Sequence, residues 1–170
     1  YLLRRNTIFL YVSWARRCVY ETANEVFLRT LVAREGVAIV ASEENEEPVI
    51  IRNEVEGERK YCVLFDPLDG SSNLDVCGGV GTIFSILRQD RRTSRPEDSL
   101  LQPGTRQVAA GYVLYGPSTI MALTLGSGVD LFLLDPAIGA FVRVNENVRI
   151  PKANKSLSLI HISEPTRRRG

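Results

Sequence analysis

The feature that most constrains this chain is a β-prone apolar run that leads straight into a carboxylate-rich turn. Tyr61-Cys62-Val63-Leu64 is followed by Phe65-Asp66-Pro67-Leu68-Asp69-Gly70-Ser71-Ser72-Asn73-Leu74-Asp75. A strand that delivers Asp66 and Asp69 at its end presents hard oxygens, and the carbonyl between them adds a third donor of the kind Mg2+ takes. Gly70, Ser71 and Ser72 follow at once, small enough to turn peptide N–H groups toward a phosphate. A cation beside a phosphate is the arrangement of metal-assisted phosphate ester hydrolysis. The same residues also make an ordinary Pro-Gly turn, so this run does not decide the matter alone.

A second acidic pair sharpens the reading. Val37-Ala38-Ile39-Val40-Ala41 reads as a short buried strand that delivers Ser42-Glu43-Glu44. If the two strands are neighbours, Glu43, Glu44, Asp66 and Asp69 converge at one sheet edge. So much like charge in one place is costly without a cation. Taken alone, Glu43-Glu44 is a solvated turn, with more acid following at Glu46-Glu47.

The bulk properties exclude several other classes. The 170 residues fit one ordinary globular domain. A net charge of +1 offers no electrostatic footprint for nucleic acid. No run of about 18 apolar residues is present, so no membrane-spanning helix is expected. Cys18, Cys62 and Cys77 lack metal-type or CxxC spacing and read as reduced thiols of an intracellular protein. The single histidine, His161, lies far from the acidic motifs, which argues against histidine-based acid–base chemistry.

Along the chain, Ala23, Val26, Phe27, Leu31 and Val32 recur at helical spacing and predict an amphipathic helix over Glu21–Arg34, stopped by Gly36. Strands are expected at Val49–Ile51, at Tyr61–Phe65 with its end on Asp66, and at Thr82–Leu87. Gln89–Gly104, charged and carrying Pro96 and Pro103, reads as an exposed loop. Val108–Tyr115 opens a helix or a strand. Thr119–Leu125, Val129–Leu134 and Ala140–Val144 read as strands joined by hairpin connections. Residues 1–20 show no clean period and residues 153–170 change character, so both ends read as foreign to the fold.

Taken together, Ala41-Ser42-Glu43-Glu44, the run Lys60–Asp75, Gly81-Thr82-Ile83-Phe84-Ser85-Ile86, Leu101-Gln102-Pro103-Gly104, Ala109-Ala110-Gly111-Tyr112 with Tyr115-Gly116, and Leu134-Asp135-Pro136 resemble the fructose-1,6-bisphosphatase family. Ile150-Pro151-Lys152 ends the match, which covers 21–152. The aspartate motif alone is shared with inositol-phosphatase-like enzymes, and the full string with Gly-Thr-Ile-Phe is the more specific part. The resemblance implies an α/β (α+β) layered sugar-phosphatase fold, of which this chain holds the N-terminal half only. It implies Mg2+-dependent hydrolysis of the 1-phosphate of fructose 1,6-bisphosphate, with Mn2+ or Zn2+ as alternatives. A related inositol or nucleotide monophosphatase is the second reading, and an inactive fragment that only associates with other subunits is the third.

Residue by residue, the family implies metal ligation by Glu43, Glu44, Asp66, the Leu68 carbonyl and Asp69, with Glu44 and Asp66 catalytic. Asp69, Gly70, Ser71 and Ser72 would hold the 1-phosphate. Lys60, Tyr61 and Arg88 match positions that contact AMP in inhibited members. Each also has a plain reading, as a solvated charge, a strand residue and an edge charge. Two departures stand out. The aspartate that precedes the helix in the family falls here at about Tyr20, and where the family continues beyond the position of Lys152 into its sugar-binding half, this chain runs into Ala153-Asn154-Lys155 and an unrelated tail. The family's homotetrameric habit implies self-association of a complete version. The short Gln89–Gly104 loop, free of cysteine, favours a cytoplasmic type over a chloroplast one.

Overall fold

The computed structural model describes residues 21–51, 61–76, 78–90, 92 and 95–150. Lys60, matched above to an AMP-contacting position, Cys18, Cys77, His161 and both ends that read as foreign lie outside these residues. The fold is mixed α and β. A helix, α1, covers 21–32. An eight-stranded sheet follows, with strands β1 Val37–Ser42, β2 Val49–Ile50, β3 Tyr61–Asp69, β4 Val80–Arg88, β5 Gln107–Tyr115, β6 Ile120–Thr124, β7 Asp130–Asp135 and β8 Ala140–Asn145. Their order is β2-β1-β3-β4-β5-β6-β7-β8. β1 and β3 run parallel, and every other pair is antiparallel.

The core lies at the β1–β3–β4 end. Val37, Val40, Val63 and Phe65 form one buried cluster, and Phe27, Leu28 and Leu31 from α1 pack against it. That is the apolar stripe predicted for the helix, placed over β-branched residues on one sheet face. The Phe27 and Phe65 rings tilt together with centroids 5.2 Å apart. On the opposite face Ala38, Ile39, Cys62 and Leu87 are buried, with Leu100 against them. Cys62 is a free, buried thiol whose pKa burial pushes up to about 11.

Two boundaries differ from the sequence reading. Gln89–Gly104 is not simply an exposed loop: Pro96–Leu100 and Gly104–Arg106 form short 3-10 helices. Ser99 is completely buried, and its hydroxyl donates to the Asp90 carbonyl at 3.0 Å. Charge and proline signalled solvent, but the Leu100 side chain pulls the segment onto the sheet. In addition, β3 does not end on Asp66. It continues to Asp69 through a register shift, Asp66 pairing with Ile83 and Asp69 with Gly81. Three steps along β3 match two along β4, which is the signature of one inserted residue, a β-bulge. Pro67 has no N–H to offer a ladder, so it sits there without loss. Val108–Tyr115 resolves as strand.

Candidate metal and phosphate site

The parallel register of β1 on β3 builds the acidic group. Ser42 stands opposite Phe65, so the next residue of each strand, Glu43 and Asp66, emerges side by side. The Glu43 N–H donates to the Phe65 carbonyl at 3.0 Å, which fixes the exit of β1. Carboxylate oxygens of Glu43, Glu44 and Asp66 all lie within 4.8 Å of one another. Burial is the first cause raising the Glu44 pKa, with the charges of Glu43 and Asp66 adding to it. Three carboxylates from two adjacent strands, one of them reluctant to ionise, make a donor set that a hard divalent cation would relax. On these grounds the residues present fit such an ion.

A polar net that the sequence reading did not single out holds the Glu43-Glu44 turn. Ser42 Oγ donates to Asn24 Oδ1 at 2.7 Å and accepts from the Glu44 N–H at 3.3 Å. The amide nitrogen of Asn24 donates to Asn45 Oδ1 at 2.8 Å. Thus α1 reaches across to brace the acidic turn. The only sequence signal was polar residues at Asn24 and Ser42 beside apolar runs, and nothing in the spacing linked residues so far apart.

Asp69 stands outside the three-carboxylate group. Four carboxylates were expected to converge. The bulge carries Asp69 past them to pair with Gly81, with its side chain exposed. Beyond it Gly70 takes φ of 75°, a left-handed conformation natural to glycine. Ser71–Val76 then forms a 3-10 helix. Asn73 closes this turn: its N–H donates to the Gly70 carbonyl at 2.8 Å, and its side-chain amide donates to the Gly79 carbonyl at 3.0 Å. Ser71 and Ser72 therefore sit on a built turn next to Asp69. Leu68 is buried, and its N–H donates to Asp66 Oδ1 at 2.8 Å.

A cleft of ≈ 420 Å³ opens beside the acids, lined by Ala41, Glu43, Leu64, Asp66, Ile83 and Ser85 among others. On the helix side an apolar cavity of ≈ 400 Å³ is lined by Phe27, Leu31, Tyr61, Phe65 and Phe84 among others. Tyr61 and Arg88 are cross-strand partners, and the Arg88 guanidinium lies 5.6 Å from the Tyr61 ring centroid, a cation–π contact.

This combination of a bulged strand, paired acidic exits and a Gly-Ser-Ser turn sits on a mixed α+β domain, the fold class that the family resemblance implies. The comparisons with known proteins agree. The family model for the fructose-1-6-bisphosphatase N-terminal domain matches residues 18–146. The chain belongs to this family. It is 49% identical over 137 residues to fructose-1,6-bisphosphatase isozyme 2 of Mus musculus, covering 81% of this chain and 40% of the relative. The Rattus norvegicus isozyme 2 is 48% identical over the same shares. Among solved structures, fructose-1,6-bisphosphatase of Leishmania major in its holo form superposes with a TM-score of 0.71 at 37% identity, over 79% of this chain and 43% of that one. The chain thus spans about 40% of the length of the curated relatives it matches.

Proposed function

We propose that this chain is the metal- and phosphate-binding part of an enzyme that hydrolyses the 1-phosphate of fructose 1,6-bisphosphate, giving fructose 6-phosphate and phosphate. The observation that carries the reading is the three-carboxylate group at the mouth of the cleft. Glu43, Glu44 and Asp66 are the residues that would hold Mg2+, or Mn2+ or Zn2+; the family resemblance adds the Leu68 carbonyl and Asp69, which here stands outside that group. When bound, the cation would supply Lewis-acid activation of water and neutralise charge at the phosphoryl group. Glu44 Oε takes the proton of the attacking water, a role its raised pKa suits. Peptide N–H groups of Gly70, Ser71 and Ser72 hold the phosphoryl oxygens as fixed donors where charge accumulates.

The same reading extends to regulation and assembly. Tyr61 and Arg88, already in contact, would form one wall of an AMP site with Lys60. The enzyme would act as a cytoplasmic homotetramer. No described helix is long and apolar enough to cross a membrane.

The test is phosphate release by a full-length enzyme containing this segment, with Mg2+ and with a chelator, comparing fructose 1,6-bisphosphate with inositol monophosphate. Mg2+-dependent turnover that favours the bisphosphate supports the reading. Preference for the monophosphate would reassign the substrate, and turnover indifferent to chelation would remove the cation.

A further inference from the structure

One peptide unit between Asp66 and Asp69 is held from both sides. The Pro67 carbonyl accepts a hydrogen bond from Thr82 Oγ1 at 3.0 Å. At the other end of the same peptide plane, the Leu68 N–H donates to Asp66 Oδ1 at 2.8 Å. Planarity couples the two ends, so a rotation that moves the carbonyl swings the N–H with it. The aim of the Asp66 carboxylate toward Glu43 and Glu44 is therefore tied to whatever holds Pro67.

Thr82 has a second partner. Its hydroxyl lies 2.7 Å from the Tyr115 hydroxyl, where either oxygen could donate by geometry alone. The chemistry decides between them. A carbonyl can only accept, so the single proton of Thr82 is committed to Pro67, and Tyr115 must donate to Thr82. The relay runs Tyr115 O–H to Thr82 Oγ1, Thr82 O–H to the Pro67 carbonyl, then Leu68 N–H to the Asp66 carboxylate. The frame is rigid: Thr82 is 1% exposed, and Val80, two residues before it on β4, pairs with Tyr115 on β5. Packing does not require this hydroxyl. Valine has the same shape and suits a strand at least as well, whereas a hydroxyl in the core costs stability unless it is bonded.

We propose that Thr82 and Tyr115 are positioning residues for the Asp66 carboxylate, and that their relay sets the divalent-cation affinity of the Glu43–Glu44–Asp66 group. The inference rests on the cation reading given above. It is tested on the full 170-residue chain by Mn2+ titration, followed by electron paramagnetic resonance. Amide hydrogen exchange at Leu68 and Val63 is measured alongside. Thr82→Val should weaken Mn2+ binding about tenfold, the size of one hydrogen bond. It should speed exchange at Leu68 and leave Val63 unchanged. Thr82→Ser, which keeps the hydroxyl, should stay near wild type in both readouts. Tyr115→Phe should fall between them, and it acts from a partly exposed ring, so it reports even if the valine variant does not fold.

Unchanged Leu68 exchange in both Thr82→Val and Tyr115→Phe would overturn the positioning role. Faster Leu68 exchange with wild-type Mn2+ affinity would overturn the consequence for the cation. If wild type and Asp66→Asn alike take up no Mn2+, the cation reading falls and the affinity claim with it. Leu68 exchange then still decides whether the relay positions Asp66.

Discussion

The two ends of the sheet differ in how they meet solvent. At one end β1 is buried along five of its six residues, with α1 on one face and Leu100 on the other. At the far end β8 is exposed at every position, and Phe141, Val142 and Val144 all show substantial apolar surface. Both strands carry strand-favouring residues, Val and Ile in β1 and Phe and Val in β8, so intrinsic β-preference does not separate them. What separates them is cover. The acidic exits of β1 and β3 emerge from the covered end, where packing on both faces fixes the backbone to the precision that three adjacent carboxylates require. Fixed dipoles and charges are useful only on a frame that does not relax around them.

The sharpest way to break this contrast is to remove a charge at the covered end without touching its packing. Asp66→Asn in a full-length enzyme should cut Mg2+-dependent turnover by several orders of magnitude while the thermal unfolding midpoint stays close to wild type. Near-normal phosphate release by this variant would remove Asp66 from the mechanism. Next in size is a matched pair of truncations. Phe65 is 5% exposed and Phe141 is 38% exposed. Phe65→Ala should cost roughly 3–5 kcal/mol of unfolding free energy, and Phe141→Ala under about 1.5 kcal/mol. Equal losses in urea titrations would erase the distinction between the two ends. A smaller effect is expected where the ends join. A Cβ on Gly111 would lie 2.4 Å from the Ala122 carbonyl oxygen and 2.8 Å from the Phe84 ring. Gly111→Ala should therefore cost roughly 1–3 kcal/mol, read from the same titrations.

Much of this arrangement was legible in the residues. The helix stripe from Ala23 to Val32, the apolar run before Ser42 and the hairpin strands near the C-terminal side of the sheet announce themselves by period and by turn residues. The convergence of Glu43 with Asp66 was readable as a condition, that the two strands be neighbours, and the parallel β1–β3 register meets it. Three things were not readable. The β-bulge that separates Asp69 from the other acids depends on pairing with Gly81, a partner remote in sequence. Ser99 looked like loop because its burial comes from Leu100 packing on residues far upstream. Asn24 and Thr82 each act through two hydrogen bonds to partners distant in sequence, and no local pattern encodes such bonds. Local period reports what a segment buries, whereas long-range polar contacts appear only once the elements are placed.

The smallest predicted effect tests whether the acids at the covered end are strained when no cation is bound. The Glu44 pKa is raised in the folded chain, by burial first and then by Glu43 and Asp66. The folded state therefore binds this proton more tightly than the unfolded state does. Linkage then requires stability to fall as pH rises from below the ordinary glutamate value of 4.5 through the folded pKa. Above that window the charge on Glu44 is a net cost to the metal-free fold; below it the cost disappears. Glu44→Gln, which keeps the shape and removes the charge, should raise the thermal midpoint slightly at pH 7 in the presence of a chelator. The gain should vanish by about pH 4, where wild-type Glu44 is itself protonated. Glu44 is largely solvent-exposed, so screening keeps the effect small. A divalent cation should reverse its sign at pH 7, because the wild-type carboxylate then gains a partner that glutamine cannot match. A variant less stable than wild type in chelator at pH 7 would mean that the three carboxylates carry no mutual strain, and the covered end would lose its main physical argument for holding a cation.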